Sequence, residues 1–335
     1  MRSWPLVALV ALTVGVAGAQ PPSASEGGAT VGFMHAIHAT ERLETTLEFY
    51  SEVFGLTAEP RAFTNPAVAA LTDSPGVSLR IAMLPLPGRG FNFELTEFSN
   101  VERRPAQPSI VDPGAPHMKI LVRDLAPVVA ALDERRAPIV TRSAAPVPVT
   151  TALGKVEAIL CRDPDGYLVE VVEVDETEIP ADAPAGNVVG AIMGITVADL
   201  DASLAFWNGL LGFDLEADAD YSNDASMLDL MGVKGRIEFR TAHGVVPGST
   251  ARVELIEFRA VPSMPFDLRV PDPGAAGMAI RVAHIDALLQ RLKDAGVRVI
   301  SKDGELVEWS PTLRNVFVKD PNGFNLELVG AVDAR

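Results

Sequence analysis

The chain has 335 residues, more than one typical domain holds and suited to two of about 150. Asp and Glu outnumber Lys and Arg by 44 to 28, and a formal charge of −16 with no compensating basic block argues against a nucleic-acid or anionic-lipid partner. The single cysteine, Cys161, excludes an internal disulfide and a thiolate metal cluster; at the end of an apolar strand, just before a turn, it reads as a small buried hydrophobe.

Residues 1–19 open with Arg2, run apolar from Leu6 to Val16 and finish Ala17-Gly18-Ala19, the small-x-small site of an exported precursor. About 14 apolar residues fall short of the roughly 20 that span a bilayer. The segment is therefore read as a signal peptide cleaved after Ala19, which makes the mature protein periplasmic or secreted, without a membrane anchor. Residues 20–29, rich in Pro, Ser and Gly, are a flexible leader.

The rest of the chain repeats itself. A strand over about 33–39 precedes a helix over 43–54, whose apolar face is Leu43, Leu47, Tyr50 and Phe54 and which stops at Gly55. Three strands follow, ending near Phe98. A second strand (116–122) and helix (125–135, with Leu125, Val128, Val129 and Leu132 inward) lead into three more strands ending near Val172. The order βαβββ thus occurs twice. The acidic, proline-bearing stretch from Glu173 to Asn187 separates this copy from a second one, with the linker set at 176–187. Leu200, Leu204, Trp207 and Leu211 repeat the first helix at an offset of 157. Asp112-Pro113-Gly114 returns as Asp272-Pro273-Gly274 at 160, and Asp163-Pro164-Asp165-Gly166 as Asp320-Pro321-Asn322-Gly323 at 157. The last pair are hairpin turns.

Chemistry-bearing residues fall inside the apolar strands. His35 and Glu94, then His117 and Glu170, form a doubled His–Glu pattern in the first copy. Imidazole nitrogen and carboxylate oxygen suit borderline divalent metals, so four such groups converging would form a catalytic metal site. Glu94 in Phe91-Asn92-Phe93-Glu94-Leu95 and Glu170 in Tyr167-Leu168-Val169-Glu170 carry a desolvation cost of several kcal/mol unless something binds them. A salt bridge or an outward-facing position on a half-exposed strand is the plainer explanation. His35 and His38 cannot both face one side of a strand, since successive side chains alternate. In the second copy Ile192 and Gly277 replace the two histidines while Glu254 and Glu327 remain, and pairing with Arg252 or Arg281 is expected there.

Tandem βαβββ modules with a His on the first strand, a helix ending Phe49-Tyr50 before Gly55-Leu56, a Glu on the fourth strand and a closing Asp163-Pro164-Asp165-Gly166-Tyr167-x-x-Glu170 resemble the vicinal oxygen chelate superfamily. That group includes glyoxalase I, extradiol dioxygenases and the bleomycin resistance proteins. The resemblance runs from Val31 to Val329 and implies an α+β fold of two tandem domains, each a pair of modules curled into an open cup around one metal. It picks His35 over His38, fourteen residues before Phe49. Glyoxalase-type relatives often join modules from different domains. Here, however, pairing within the first copy unites His35, Glu94, His117 and Glu170, which favours a self-contained cup at 30–175 and a degenerate domain at 188–335.

Three functions follow from the resemblance. The first is a metal-dependent isomerase or lyase resembling glyoxalase I. One divalent ion (Zn, Ni, Mn or Fe) would chelate the vicinal oxygens of a small substrate and stabilise an enediolate, while Glu94 or Glu170 moves the proton. The second is an extradiol-type Fe(II) dioxygenase using His35, His117 and Glu170. The third is an exported small-ligand binding or resistance protein. By strand parity Tyr167 points away from Glu170, which disfavours the second, and export disfavours glutathione as a co-substrate. The expected assembly is a monomer or homodimer.

Overall fold

Alternating apolar runs form strands and runs of helical period form helices, in four successive modules. The computed structural model describes residues 29–86, 91–179, 183, 185–235 and 237–332, so the expected signal peptide and nearly all of the leader lie outside the described residues. Module one comprises β1 (Thr30–Thr40), α1 (Leu43–Phe54), β2 (Arg61–Phe63), a short α2 (Ala67–Leu71), β3 (Ser78–Leu86) and β4 (Phe91–Ser99). Module two comprises β5 (Pro116–Val122), α3 (Ala126–Arg135), β6 (Val147–Thr151), β7 (Gly154–Arg162) and β8 (Leu168–Glu173). Module three comprises β9 (Val188–Val197), α4 (Leu200–Leu204, continued by a π-turn at Ala205–Leu210), β10 (Glu216–Ala217), α5 (Ala225–Leu230), β11 (Glu238–Val245) and β12 (Arg252–Arg259). Module four comprises β13 (Ala276–Val282), α6 (Ile285–Asp294), β14 (Val307–Ser310), β15 (Leu313–Lys319) and β16 (Asn325–Ala331).

Helix starts are tied to strand ends. No side chain of Arg42 caps α1; instead the Leu43 N–H donates to Glu97 at the end of β4 at 2.7 Å, and Gly55 takes the left-handed conformation that closes the helix. Glu257 on β12 accepts the Leu200 N–H in the same way, and Glu173 on β8 accepts that of Leu125. Each strand end thereby fixes where its helix begins.

Two eight-stranded curled sheets result, as the two-cup, tandem-repeat fold requires, but the modules pair differently from the expectation. One sheet runs β14-β15-β16-β13-β1-β4-β3-β2 and the other β10-β11-β12-β9-β5-β8-β7-β6. Cup A therefore joins modules one and four, and cup B modules two and three. A self-contained cup at 30–175 does not form. The antiparallel seams are β1 on β13, with His35 opposite Ala279, and β5 on β9, with His117 opposite Gly194.

The chain changes sheets twice, over 100–115 and 260–275, and the two crossing segments clasp each other. Ala106 N–H donates to Pro273 O and Phe266 N–H to Pro113 O. Asp112 accepts from Met264 N–H, and Asp272 accepts from Arg104 N–H. Gly114 and Gly274 both hold φ +90°, and a Cβ on Gly114 would lie 2.4 Å from the Asn322 carbonyl oxygen and 2.5 Å from that of Phe266. Only glycine fits such a left-handed, crowded turn.

The main core lies between the convex faces of the two sheets. Met118, Ile120 and Val122 of β5 and Met278, Ile280 and Val282 of β13 meet the four main helices there. Cys161 lies in it fully buried, its S–H directed at Val169 O, as its sequence context suggested. Among the described residues no helix is long and apolar enough to cross a membrane.

Because each copy supplies half of each cup, residues 29–179 and 183–335 expressed apart should each fail to show cooperative thermal unfolding, whereas co-expression should restore one transition and a heterodimeric complex. Two independently cooperative halves would contradict the shared sheets.

Candidate metal centre

In cup A the side chains of β1, β4, β15 and β16 that face inward include His35, Glu94, Asn315 and Glu327. Strand register explains the grouping: His35 is opposite Ala279 across the seam, and Ala279 is opposite Glu327 on β16, while Glu94 stands on β4 at the other side of β1. His35 Nε2 is 3.8 Å from Glu94 Oε2, both side chains being less than one-fifth exposed. Thr96 donates to the other Glu94 oxygen at 3.0 Å. Glu327 is 8% exposed and accepts from Asn315 Nδ2 at 2.6 Å. Burial pushes the Glu327 carboxyl up; His35 counteracts this and the nearby Glu94 charge adds to it, so both residues lie close enough to act on it. The amide oxygen of Asn315 is buried without a hydrogen-bond partner. Around these groups a cavity of about 200 Å³ is walled by apolar side chains that include Ile37, Phe63, Phe98 and Trp309, and among the described residues Arg61 is the one Arg or Lys in its lining. The Phe63 and Trp309 rings stack at 5.7 Å, joining the edge strands β2 and β14.

Cup B holds the other half of the expected set. His117 and Glu170 are here, not beside His35 and Glu94, so the four-ligand centre expected from the first copy is divided between two sheets. The dioxygenase triad of His35, His117 and Glu170 is divided with it. A residue that sequence reasoning missed occupies the middle of cup B: Lys119 Nζ lies 2.6 Å from Glu254 Oε1 and 3.5 Å from Glu170 Oε2. Burial alone would lower the pKa of this ammonium, but Glu170 and Glu254 outweigh that and raise it. Glu254 thus pairs with a lysine and Glu327 with an asparagine, where arginines were expected. His117 is fully buried, with Nε2 3.9 Å from Glu170 Oε2 and no hydrogen-bond partner on either ring nitrogen. Burial, then the Lys119 charge, lowers its pKa to about 3, so the ring is neutral. Lys119 shares the parity of His117 and interrupts the apolar run Met118-Lys119-Ile120, which is the signal that would have found it.

His38 faces the opposite side of β1 from His35, as parity required, and is fully buried. Its Nε2 is 2.9 Å from Asp163 Oδ2 and 3.5 Å from Asp165 Oδ2. Among the described residues these three are the one group of three or more His, Cys, Asp or Glu side chains whose candidate ligand atoms all lie within 4.8 Å of one another. They form an ion pair complete in itself. Burial opposes the imidazolium, but Asp163 and then Asp165 outweigh it and raise the pKa to about 10. The carboxylate oxygens are further occupied by Thr46, by the backbone N–H groups of Glu41, Asp165 and Tyr167, and by Tyr50. Here the cation is the proton on His38. The cluster fastens β1 to the Asp163–Gly166 hairpin across the core. Tyr167 packs on His38 at 4.5 Å, on the face away from Glu170.

The model of the Glyoxalase/Bleomycin resistance protein/Dioxygenase superfamily matches residues 32–171 and 189–328. Among solved structures, glyoxalase I from Zea mays is similar over 89% of this chain and 92% of its own, at 19% identity and a TM-score of 0.56. A "putative dioxygenase" from Bacillus subtilis is similar over 92% of this chain and 87% of its own, at 14% identity and a TM-score of 0.50. At these identities the likeness is one of fold. No curated protein matches the chain.

The His38 pair sets a pH dependence of stability. With a folded pKa of about 10 against an ordinary 6.5, its contribution is complete below about pH 6.5 and disappears as pH rises through 10. His38→Ala, which strands two buried carboxylates, should cost about 3–5 kcal/mol at pH 6. Denaturant unfolding of wild type and variant at pH 6, 8 and 10 measures this; the difference should shrink toward pH 10, and a difference independent of pH would refute the assignment.

Proposed function

Because this chain belongs to the Glyoxalase/Bleomycin resistance protein/Dioxygenase superfamily, we propose that cup A is the working centre of a divalent-metal-dependent isomerase or lyase acting on a small substrate with vicinal oxygens. The observation that carries this reading is the donor set itself: one imidazole, two mostly buried carboxylates and an unpartnered amide oxygen face one cavity. His35, Glu94 and Glu327 are the residues that hold the ion, with Asn315 fixing Glu327. This mixed nitrogen–oxygen set fits Zn, Mn, Ni or Fe. When bound, such an ion supplies Lewis acidity to the substrate's vicinal oxygens.

The protein's own groups do the rest. Glu327 is the proton carrier, taking a proton from the carbon beside the bound oxygens and returning it to the neighbouring carbon. Asn315 grips one of its oxygens only, which fixes the carboxylate and leaves the other for the substrate. The role expected of Glu170 thus passes to Glu327, while Glu94 remains at the site. The walls of Ile37, Phe63, Phe98 and Trp309 receive a compact apolar body and exclude water from the reacting carbon. With Arg61 the one Arg or Lys among the described lining residues, an anionic tripeptide adduct finds little to hold it, so the substrate is a small free molecule. The reading includes export directed by residues 1–19. Both cups close within one chain, so catalysis needs no second subunit.

Purified full-length protein should carry one divalent ion per chain. His35→Ala should abolish metal retention and turnover, and His117→Ala should leave both intact. Glu327→Gln should keep the ion, since an amide oxygen still coordinates, and lose about 10²–10⁴-fold in turnover. Metal analysis with a panel of 2-oxoaldehydes, their thiol adducts and catechols checks this. Oxygen consumption with Fe(II) that survives Glu327→Gln would replace the isomerase with an oxygenase, and loss of metal on His117→Ala would move the centre to cup B.

A further inference from the structure

The two cups are built to one plan, and they differ in what sits between their carboxylates. In each, four adjacent strands place a glutamate on either side of the seam: Glu327 and Glu94 in cup A, Glu170 and Glu254 in cup B. The two seam positions between them are Ala279 and His35 in cup A, and Lys119 and Ile192 in cup B. Between its glutamates cup A carries the imidazole of His35 on β1, whereas cup B carries the ammonium of Lys119 on β5, with His117 two residues before it. An imidazole with a free lone pair can bind a metal. An ammonium has three donors and no lone pair, and so can only take the metal's place.

We propose that Lys119 is a resident cation that keeps cup B free of metal, and that a divalent-metal site lies latent beneath it, formed by His117, Glu170 and Glu254. Three observations meet in this. The ammonium bridges both carboxylates, at 2.6 Å and 3.5 Å. One oxygen of Glu170 is buried with no partner. Beside it the His117 ring, fully buried, has no partner on either nitrogen, and its Nε2 approaches Glu170 at 3.9 Å. A fully enclosed imidazole without a hydrogen bond is costly to keep in a core, and a metal ion would supply the missing partner. Lys119, Glu170 and Glu254 line a cavity of about 230 Å³ bordered by Arg252 and His243, and His117 lies buried behind them, so removing the lysine opens a route from the cavity toward the imidazole. The ligand class is a borderline divalent ion of the Zn or Mn type. Cup B of the native chain then serves as a metal-free half of the molecule, its charge balanced from within.

The proposal stands independently of the metal in cup A, and its test separates the two. Full-length wild type, Lys119→Ala, Ile192→His and Lys119→Ala/Ile192→His are loaded with Zn²⁺ or Mn²⁺, desalted and analysed for metal, with thermal unfolding in the presence and absence of the ion. The same set is repeated in a His35→Ala background, where any gain belongs to cup B. Lys119→Ala should bind one equivalent more than wild type, and its melting temperature should rise with metal where that of Lys119 protein with cup A disabled does not. The double variant, which reproduces the Ala279/His35 seam of cup A, should gain the same equivalent and guards against poor folding of Lys119→Ala alone. Ile192→His by itself should gain nothing, because the ammonium remains. Adding His117→Ala to Lys119→Ala should reverse the gain. The proposal fails if folded Lys119→Ala and the double variant both bind no additional metal, if Ile192→His alone binds it, or if the gain survives loss of His117.

Discussion

Which glutamates share a cup is decided by two antiparallel seams, β1 on β13 and β5 on β9. Each is a ladder between first strands of modules from different copies, and every inward-facing group inherits its neighbours from that register. A slip of one residue would turn His35 and Lys119 out of their cups and His38 into one. The crossing segments at 100–115 and 260–275 leave little freedom in the choice. Each Asp-Pro-Gly turns with its glycine at φ +90° against the other's backbone, and each aspartate accepts an N–H from the opposite segment. The clasp thus holds the two crossing segments in the arrangement that pairs module one with module four.

Once the seams are set, several carboxylates lie inside apolar surroundings, and three of these clusters are satisfied in three different ways. In the shared core, Asp163 and Asp165 are neutralised by a protonated His38. In cup B, Glu170 and Glu254 are neutralised by Lys119. In cup A, Glu94 and Glu327 have beside them only His35, a threonine hydroxyl and an amide. A buried carboxylate without a cation costs several kcal/mol. The first two clusters meet that cost internally and are closed to further chemistry. In cup A no ammonium bridges Glu94 and Glu327, and the proposed metal site rests on that difference.

Much of this was legible in the sequence. Helical period gave α1 and α3 almost to the residue, β5 was read over its observed span, and strand parity separated His35 from His38 and turned Tyr167 from Glu170. These are local properties, set by alternation and by glycine at helix ends. The pairing of modules was not legible, because β1 and β13 are far apart in the chain and the same alternation satisfies either partner. Cup membership therefore came out wrong for His117 and Glu170, even though their strands and inward faces were right. The sequence holds two clues to the pairing. Asp-Pro-Gly occurs only where the chain changes sheets and is absent between β8 and β9, which stay together. Lys119 was a charged residue in an apolar strand, two positions from a histidine read as a ligand.

The internal duplication makes the asymmetry informative. The histidine of cup A and the lysine of cup B stand on opposite strands of their seams. In cup B the ring of His117 lies over Gly194, where a Cβ would meet it at 2.0 Å. The corresponding pair in cup A is Ile37 and Gly277. Each seam thus takes one bulky side chain over one glycine, and the two cups have assigned that shared space differently, to an aliphatic wall in one and to an imidazole in the other. Cup A gains an apolar wall beside Glu94 and Glu327. In cup B the same steric slot houses an imidazole two residues from Lys119. The difference between the cups thus rests on a few seam positions, while the fold around them remains common to both.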